Sequence, residues 1–328
     1  MNKLSNNAVM RLKKIYEQEI DGTDPFNFEL TVHKPAGPDG WEWLTPFEIY
    51  SKGVIWAGIR ISTGELIGLK ISDISSVQNP KVLCRIFSGK NVNHEEKDEV
   101  VRTVSRCLSL KKDISDFYQL CDRYPPLRQA REDLWGMRKD PFPNLFSALI
   151  VAITLQNVPW KRSIQMVRSI YANYGEKINF DNHEIIICPL ANLIAKIREQ
   201  ELRTTCKLGY RDIILKECAN AIVKRELPTI EELEEMSHDD AKRILTKIKG
   251  IGEYSADITG VYPSFPVDSW SATIFRTLFN INIGGRPQQT ISIIKRYVAE
   301  EFGIWQGYVY TYVLNDLQNL SKRFRAIP

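Results

Sequence analysis

The chain has 328 residues, which is enough for two or three domains of the usual size of about 100–200 residues. Hydrophobic residues make up 43% and charged residues 26%, an ordinary globular composition that excludes collagen-like, low-complexity and wholly disordered chains. The 44 basic and 40 acidic residues give a net charge of only +4. A nucleic-acid partner would therefore have to bind to a local basic patch rather than to a uniformly charged surface.

The apolar runs of the chain are all too short for a membrane helix, which needs roughly 18–20 residues. Residues 1–22 lack the apolar centre of a signal peptide. We therefore expect a cytoplasmic location and no membrane partner.

The six cysteines and four histidines form no metal-ligand motif. No two cysteines have Cys-x-x-Cys spacing, so we expect reduced thiols in hydrophobic cores rather than disulfides or zinc. The histidines are equally scattered, which leaves no metal site built from side chains.

The first third of the chain predicts an antiparallel β-sheet. FNFELTVHK, GVIWAGIRIS and ELIGLKIS alternate apolar and polar residues, and PAGPDG and STGE supply the turns between them. The first twenty residues predict a short polar helix. Helical periodicity begins near Glu95 and continues to the end of the chain.

These patterns predict an α+β protein with two domains. Residues 1–125 form an antiparallel β-rich amino-terminal domain, and residues 126–328 form an all-α domain. The boundary is placed at Tyr124–Pro126, in a short polar linker. Within the second domain, LFSALIVAITLQNV (145–158) is apolar on most faces and predicts a buried helix.

A helical hairpin at about residues 239–262 is the most informative feature. Ser237, followed three residues later by Asp240, is typical of a helix start. The turn Lys249-Gly250-Ile251-Gly252 allows a tight connection in which Ile251 plugs the gap between the two helices. Its amide groups and the start of the second helix predict a phosphate site, with a monovalent cation as a bridging ion. Gly-x-Gly alone is equally typical of tight packing.

Asp268 stands just before the next amphipathic helix, where a carboxylate is typical of an N-cap. Its context adds a second interpretation. Hairpin, short helix, Pro-Val-Asp and amphipathic helix, in that order, resemble the signature of the helix-hairpin-helix (HhH-GPD) DNA glycosylase superfamily.

The resemblance extends over most of the chain. KLGYRDIILKECANAI (207–222) resembles the Leu-Gly-Tyr-Arg helix start of 8-oxoguanine DNA glycosylases. FPNLFSALIVAITLQNVPWKRSIQMV resembles the buried core helix of the superfamily and the Gln-containing turn that faces DNA. The β-rich front resembles the amino-terminal domain of the 8-oxoguanine and 3-methyladenine glycosylases, the closest members in layout.

The resemblance implies base excision repair of DNA damage, with Asp268 as the catalytic carboxylate that stabilises the oxocarbenium-like sugar while a flipped base departs. It implies a base pocket of aromatic and apolar side chains, in which Tyr310 and Leu314 replace the Gln and Phe base readers of 8-oxoguanine glycosylases. The expected pocket residues are Tyr254, Trp270, Tyr310 and Leu314. The aromatic members could equally be core residues.

The expected DNA contacts follow from the same resemblance. Gln156 and Asn157 occupy the turn that wedges into the duplex, although both could simply cap a helix end. Backbone contacts are expected from the hairpin and from nearby cations, at Lys207, Arg211, Lys249, Gly250, Ile251 and Gly252. The implied partner is double-stranded DNA carrying a lesion or mismatch, bound by a monomer associated with the nucleoid.

Several residues differ from those of the superfamily at positions that matter for the reaction, and these differences restrict the expected activity. Bifunctional members carry a Schiff-base lysine where this chain has Tyr254, so we expect a monofunctional glycosylase without lyase activity. No cysteine follows Cys218, which excludes the iron-sulfur cluster of some branches, and no other cofactor is expected. A bifunctional lyase and a non-catalytic DNA-binding protein remain alternatives. The excised base stays open among alkylated purines, 8-oxoguanine, hypoxanthine, uracil and mismatched thymine.

Overall fold

The computed structural model describes residues 9–35, 48–139, 141–281 and 287–324. The strands are β1 (Met10–Arg11), β2 (Lys13–Asp21), β3 (Ile49–Ser51), β4 (Val54–Arg60), β5 (Leu66–Asp73), β6 (Lys81–Ser88), β7 (Glu176–Phe180) and β8 (His183–Ile187). The helices up to the hairpin are α1 (Phe28–Val32), α2 (His94–Cys107), α3 (Ser115–Cys121), α4 (Pro125–Asp133), α5 (Leu145–Thr154), α6 (Trp160–Tyr174), α7 (Ala191–Lys196), α8 (Glu199–Cys206), α9 (Arg211–Val223) and α10 (Ile230–Glu235). The hairpin and the helices after it are α11 (His238–Thr246), α12 (Glu253–Ile258), α13 (Ser269–Leu278), α14 (Pro287–Phe302), α15 (Gln306–Asn315) and α16 (Leu317–Phe324). Within the described ranges, no helix combines the length and the apolar character needed to cross a membrane.

The predicted antiparallel sheet is present and has five strands in the order β2-β6-β5-β4-β3. FNFELTVHK, predicted as one of its strands, instead contains helix α1, because the Asn27 side chain caps a helix start there by accepting from the Leu30 amide. The inner face of the sheet and α2 share one hydrophobic cluster, in which Ile67, Leu69 and Val104 have no exposed surface. The α+β class is therefore confirmed.

The helix predicted for the first twenty residues is wrong for the described part of that segment. Lys13–Asp21 is strand β2, which pairs with β6 along its whole length, from Lys13 opposite Ser88 to Asp21 opposite Lys81. The apolar residues Leu12, Tyr16 and Ile20 recur every four residues, a spacing that suits a helix and also alternate positions of a strand. Pairing with the edge of β6 favours the strand over the helix, because it satisfies the backbone hydrogen-bonding groups of both strands.

The prediction of an all-α second domain is also wrong, because β7 and β8 form a hairpin within it. Asp181 and Asn182 connect the two strands with φ angles of +49° and +64°, as in the two-residue turns that favour hairpins. Strand β1 pairs with β7 in parallel, with Met10 opposite Ile178. The chain thus passes from β1, which pairs with the β7–β8 hairpin, directly into the five-stranded sheet at β2, a pairing that local sequence patterns cannot indicate.

Two hydrophobic clusters make up the helical part. One contains α5, α6, α9, α11 and α12, and all ten residues of α5 are buried, as predicted for that helix. The other contains α3, α4 and α13 to α16. The expected boundary at Tyr124–Pro126 falls at the start of α4, and both α3 and α4 lie in this second cluster. The division at residue 125 stays a prediction.

The β7–β8 hairpin packs on the first sheet over glycines, which gives a test of this contact. A Cβ on Gly68 would lie 2.6 Å from Cδ1 of Phe180. Because Phe180 is itself buried, we expect Gly68→Ala to lower the free energy of unfolding by about 1–3 kcal/mol, measured by urea denaturation. Gly89→Ala is the control, since a Cβ there would lie at an ordinary 3.6 Å from Sδ of Met10. Equal losses in both variants would contradict the packing described.

Candidate active site

A cleft between the two helical clusters collects most of the predicted site residues. Its volume is about 1710 Å³. The turn after α5, the hairpin and α12 line one side, and the start of α13 and α15 line the other. Lys34 and Pro35 from the β-rich part line it as well. The predicted residues that line the cleft are Gln156, Asn157, Gly250, Gly252, Tyr254, Asp268, Trp270, Tyr310 and Leu314.

The hairpin forms as its sequence predicts. The Ser237 side chain caps α11 by accepting a hydrogen bond from the Asp240 amide at 3.1 Å. Ile251 is buried in the hydrophobic cluster with only 3% of its surface exposed. Its side chain therefore fills the gap between α11 and α12, and only its backbone could contact DNA.

The two hairpin glycines are required for different reasons. Gly250 has a φ of +92°, and a Cβ there would lie 2.5 Å from Cγ1 of Ile214. Gly252 has a φ of −89°, and a Cβ there would meet no atom within 4 Å. The fold therefore needs glycine at 250, whereas the surface at Gly252 is open to a close neighbour from outside the chain.

The carboxylate of Asp268 caps α13 and borders the cleft at the same time. Its Oδ1 accepts hydrogen bonds from the Ser271 amide at 2.7 Å and from Oγ of Ser271 at 2.8 Å. The Asp268 amide donates in return to Oγ of Ser271 at 2.9 Å, which completes a capping box. Within the described ranges, Oδ2 makes no hydrogen bond or ion pair, so one carboxylate oxygen is fixed and the other is available to the cleft.

Two tyrosines of the cleft lie close enough to Asp268 to be affected by its charge. Burial, with a smaller effect from Asp268, raises the pKa of Tyr254 to about 12. Burial also raises the pKa of Tyr310 well above its ordinary value, and Tyr254 and Asp268 add to this shift. Both side chains are therefore neutral phenols at physiological pH.

The other two predicted pocket residues differ in exposure. Trp270 is 54% exposed, so it is a surface ring beside the cleft and not a core residue. Leu314 is partly buried and lies one turn after Tyr310 on α15. The ring of Tyr310 packs edge-on against Phe265, with 5.0 Å between ring centroids, which fixes its position in the wall.

The turn after α5 is bonded to the hairpin through Gln156. Nε2 of Gln156 donates to the Gly250 carbonyl and to Oγ of Ser255, each at 2.9 Å. The sequence predicted Gln156 as a wedge into the duplex and did not predict these hydrogen bonds to the hairpin. Asn157 is exposed with a φ of +49°, and its Nδ2 donates to the Tyr210 hydroxyl at 3.1 Å.

The expectation that Arg211 contacts DNA is wrong for this structure. Arg211 is only 7% exposed, and its guanidinium donates to the carbonyls of Gln156 and Leu208. It also lies 4.6 Å from the ring centroid of Tyr210. Arg211 therefore holds the turn after α5 to the start of α9, and its buried guanidinium is poorly placed to contact a phosphate.

Tyr210 was not singled out by the sequence analysis, although it belongs to the quoted Leu-Gly-Tyr-Arg segment. It is 47% exposed, its hydroxyl accepts from Nδ2 of Asn157, and the guanidinium of Arg211 lies over one face of its ring. An exposed aromatic ring held rigidly beside the cleft is suited to contact a flat ligand.

Two of the predicted cations lie on the surface outside the cleft. Lys249 is exposed and has no ion pair within the described part of the chain. Lys207 is exposed and ends α8 with a φ of +53°, and its carbonyl accepts from Nη2 of Arg162 at 2.8 Å. Both could contact a phosphate, and their roles stay predictions.

The hairpin carbonyls are compatible with the expected cation. The Gly250 carbonyl accepts Nε2 of Gln156, and the Ile248 carbonyl accepts the Ile251 amide at 3.0 Å. Each carbonyl oxygen keeps a second lone pair that a cation could use. A cation that bridges the hairpin to DNA stays a prediction.

Two further acids line the cleft, Asp257 and Asp316. Asp257 is 5% exposed, accepts from the Tyr262 hydroxyl at 2.9 Å and is ion-paired with Nζ of Lys295 at 3.2 Å. It is therefore a buried acid that holds α12 to Tyr262 and Lys295. Burial raises the pKa of Asp316 to about 6. Asp257 and Asp316 are both buried, whereas Asp268, at the start of α13, is partly exposed and borders the cleft.

The comparisons with known proteins agree with the resemblance seen in the sequence. No protein-family model matches the chain. Two curated proteins each match 63% of this chain. The DNA-3-methyladenine glycosylase of Bacillus subtilis is 23% identical, and the match covers 70% of that protein. The probable N-glycosylase/DNA lyase of Methanothermobacter thermautotrophicus is 26% identical, and the match covers 71% of that protein.

Solved structures match nearly the whole chain. The 3-methyladenine DNA glycosylase from Archaeoglobus fulgidus has a TM-score of 0.72 and 20% identity, and the match covers 94% of this chain and 100% of that one. The 8-oxoguanine glycosylase/lyase of Clostridium acetobutylicum has a TM-score of 0.67 and 19% identity, with 94% and 99% covered. These proteins are HhH-GPD glycosylases, so the resemblance to that superfamily is confirmed and the chain has its fold.

The two hairpin glycines give a paired stability test. We expect Gly250→Ala to lower the free energy of unfolding by about 1–3 kcal/mol, because it combines a left-handed φ with a clash against Ile214. Gly252→Ala should stay within about 1 kcal/mol of the parent, because its φ is ordinary and its Cβ meets open space. Thermal and urea denaturation measure both. A larger loss at Gly252 than at Gly250 would contradict this hairpin geometry.

Proposed function

We propose that this protein is a DNA glycosylase of base excision repair, which hydrolyses the N-glycosidic bond of a damaged or mispaired base flipped out of duplex DNA. The observation that carries the proposal is Asp268, which borders a cleft beside the glycine hairpin with one carboxylate oxygen fixed and the other available. The names of the relatives support the general activity.

Asp268 supplies the negative charge that this reaction needs. As the C1′–N bond breaks, its electron pair leaves with the base and positive charge develops on the sugar. A fixed carboxylate stabilises that charge and orients the water that attacks C1′. Because Ser271 holds Oδ1, the charge is already in position before the reaction begins.

The flipped base would lie among Tyr254, Tyr310, Leu314 and Trp270. The two neutral phenols give flat walls that can also donate hydrogen bonds. Exposed Trp270 stands at the rim, where it could stack on an extruded nucleotide. The cleft is much larger than one nucleobase, which leaves room for the sugar-phosphate backbone.

DNA would be held mainly by backbone contacts at the hairpin. The open surface at Gly252 lets a phosphate approach the amide groups closely, and exposed Lys249 adds a positive charge nearby. Such contacts carry no sequence preference and weaken as salt rises. Asn157 and the rigid Tyr210 are suited to fill the gap left by the extruded nucleotide.

We expect hydrolysis without backbone cleavage. At the position of the Schiff-base lysine in bifunctional relatives, this chain has Tyr254, which cannot form an imine. The alternative is a lyase that uses another amine, and Lys34 and Lys139 also line the cleft. This alternative is retained because the Methanothermobacter relative is named a probable N-glycosylase/DNA lyase.

Asp268→Asn is the direct test of the proposed function. Asparagine is as good an N-cap as aspartate, so the variant should fold normally while losing the negative charge. We expect base release from lesion-containing duplexes to fall by about 100-fold or more, with DNA binding retained. Single-turnover release of free base measures the loss, and a mobility-shift titration measures binding.

The outcomes separate the three candidate functions. A non-catalytic DNA-binding protein predicts that neither the parent nor Asp268→Asn releases a base from any duplex in a panel of lesions and mismatches. A lyase predicts strand cleavage without alkali and a protein–DNA adduct trapped by borohydride. Full activity in Asp268→Asn would refute the assigned role of the carboxylate.

A further inference from the structure

Lys295 connects the two hydrophobic clusters that form the walls of the cleft. It lies in α14 beside Ile294, which is buried in the cluster of α3, α4 and α13 to α16. Its ammonium group donates to two residues of α12, a helix whose Ala256 is buried in the other cluster. The side chain therefore joins helices that belong to opposite walls.

The two partners of Lys295 lie on one face of α12. Nζ of Lys295 is 3.2 Å from Oε2 of Glu253 and 3.2 Å from Oδ2 of Asp257. These carboxylates are four residues apart, a spacing that places them one above the other on a helix. The hydrogen bond from Lys295 lowers the pKa of Glu253, so this carboxylate is ionised at neutral pH. Because α12 has only six residues, contacts at two positions one turn apart restrict its rotation.

The ion pair with Asp257 is shielded from solvent. The Asp257 side chain is 5% exposed and that of Lys295 is 26% exposed. The other carboxylate oxygen of Asp257, Oδ1, accepts from the Tyr262 hydroxyl at 2.9 Å. A shielded pair with a fixed partner is screened less by salt than a surface pair, and it holds a single geometry better.

The helices around Lys295 carry the groups that face each other in the cleft. Tyr254 follows Glu253 on α12 and lines the cleft, and the charge of Asp268 contributes to its raised pKa. Asp268 starts α13, which packs with α14 in the same cluster. Among the described residues that line the cleft, α14 contributes Ile291 but not Lys295. A shift of α12 relative to α14 would therefore change the distance between the phenol and the carboxylate, although Lys295 contacts neither.

We propose that Lys295 is a positioning residue, which holds Tyr254 and Asp268 at the separation that base release requires. The inference rests on the proposed function. A carboxylate stabilises positive charge on the sugar only when the flipped nucleotide is held at the right distance from it. By tying α12 to α14, Lys295 keeps the wall that contacts the base aligned with the carboxylate.

The test removes the charge of Lys295 in the full-length protein. Lys295→Met keeps an unbranched side chain that favours a helix, but it cannot pair with either carboxylate. We expect single-turnover base release at saturating protein to slow by about 10- to 100-fold, on any duplex of the lesion panel from which the parent releases a base. Affinity for the same duplex, measured by mobility shift, should fall no further than in Lys242→Met.

Lys242→Met is the matched control. Nζ of Lys242 lies 3.4 Å from the same Oε2 of Glu253, but Lys242 belongs to α11 and forms its ion pair within the hairpin. The variant loses the same charge beside the same carboxylate without disconnecting the two clusters. Its release rate at saturating protein should stay within about threefold of the parent.

Two further variants separate positioning from a loss of folding. Lys295→Arg keeps the charge and can still reach both carboxylates, so it should recover at least part of the lost rate. Glu253→Gln weakens one of the two contacts and leaves the shielded pair with Asp257 intact, so it should fold like the parent and show a smaller loss of rate. Thermal denaturation of each variant sets a temperature at which all are folded.

Several results would overturn the inference. One is an equal release rate in the parent and in folded Lys295→Met, and another is an equal loss in Lys242→Met. A loss confined to DNA affinity would also overturn it, because that would indicate an effect of charge on binding. If Lys295→Met does not fold, an unchanged rate in Glu253→Gln would have the same meaning. Release of no base by the parent would refute the proposed function itself, and the role of Lys295 with it.

Discussion

The capping box between Asp268 and Ser271 determines where a negative charge can act in this cleft. A carboxylate at a helix start caps the helix with one oxygen, which accepts a hydrogen bond from a backbone amide of the first turn. Here Ser271 bonds Oδ1 twice, and Oδ2 has no hydrogen-bond partner in the described part of the chain. The structural role and the proposed catalytic role of Asp268 therefore depend on the same arrangement, because the hydrogen bond that caps α13 also orients the carboxylate.

A second set of hydrogen bonds fixes the surroundings of that carboxylate. Gln156 bonds the hairpin at Gly250 and Ser255, and its carbonyl accepts the buried guanidinium of Arg211. Arg211 then packs on Tyr210, so the turn after α5, the hairpin and the start of α9 form one rigid unit. In this unit Gln156 and Arg211 hold the loops together, and the open backbone at Gly252 is the surface proposed to contact DNA.

The sequence predicted the parts of the site that depend on local patterns. Gly250, Ile251 and Asp268 lie where a hairpin followed by a capped helix requires them, since turn and cap preferences are set by neighbouring residues. The sequence-based predictions were wrong where contacts with residues far away in the sequence determine the local structure. Strand β2 was mistaken for a helix because its pairing with β6 joins segments far apart in the chain. Arg211 was taken for a surface cation because nothing in its neighbourhood reveals that Gln156 covers it.

The central claim is that the charge of Asp268 stabilises positive charge on the sugar, and binding of a charged sugar analogue tests it most directly. Duplex DNA with a pyrrolidine in place of the target nucleoside carries a cationic ring, and a tetrahydrofuran carries a neutral one of similar shape. The parent protein should bind the pyrrolidine duplex more tightly by about tenfold or more, a difference of about 1.4 kcal/mol, and Asp268→Asn should lose that preference. An equal preference for the cationic ring in the parent and in Asp268→Asn would contradict the account.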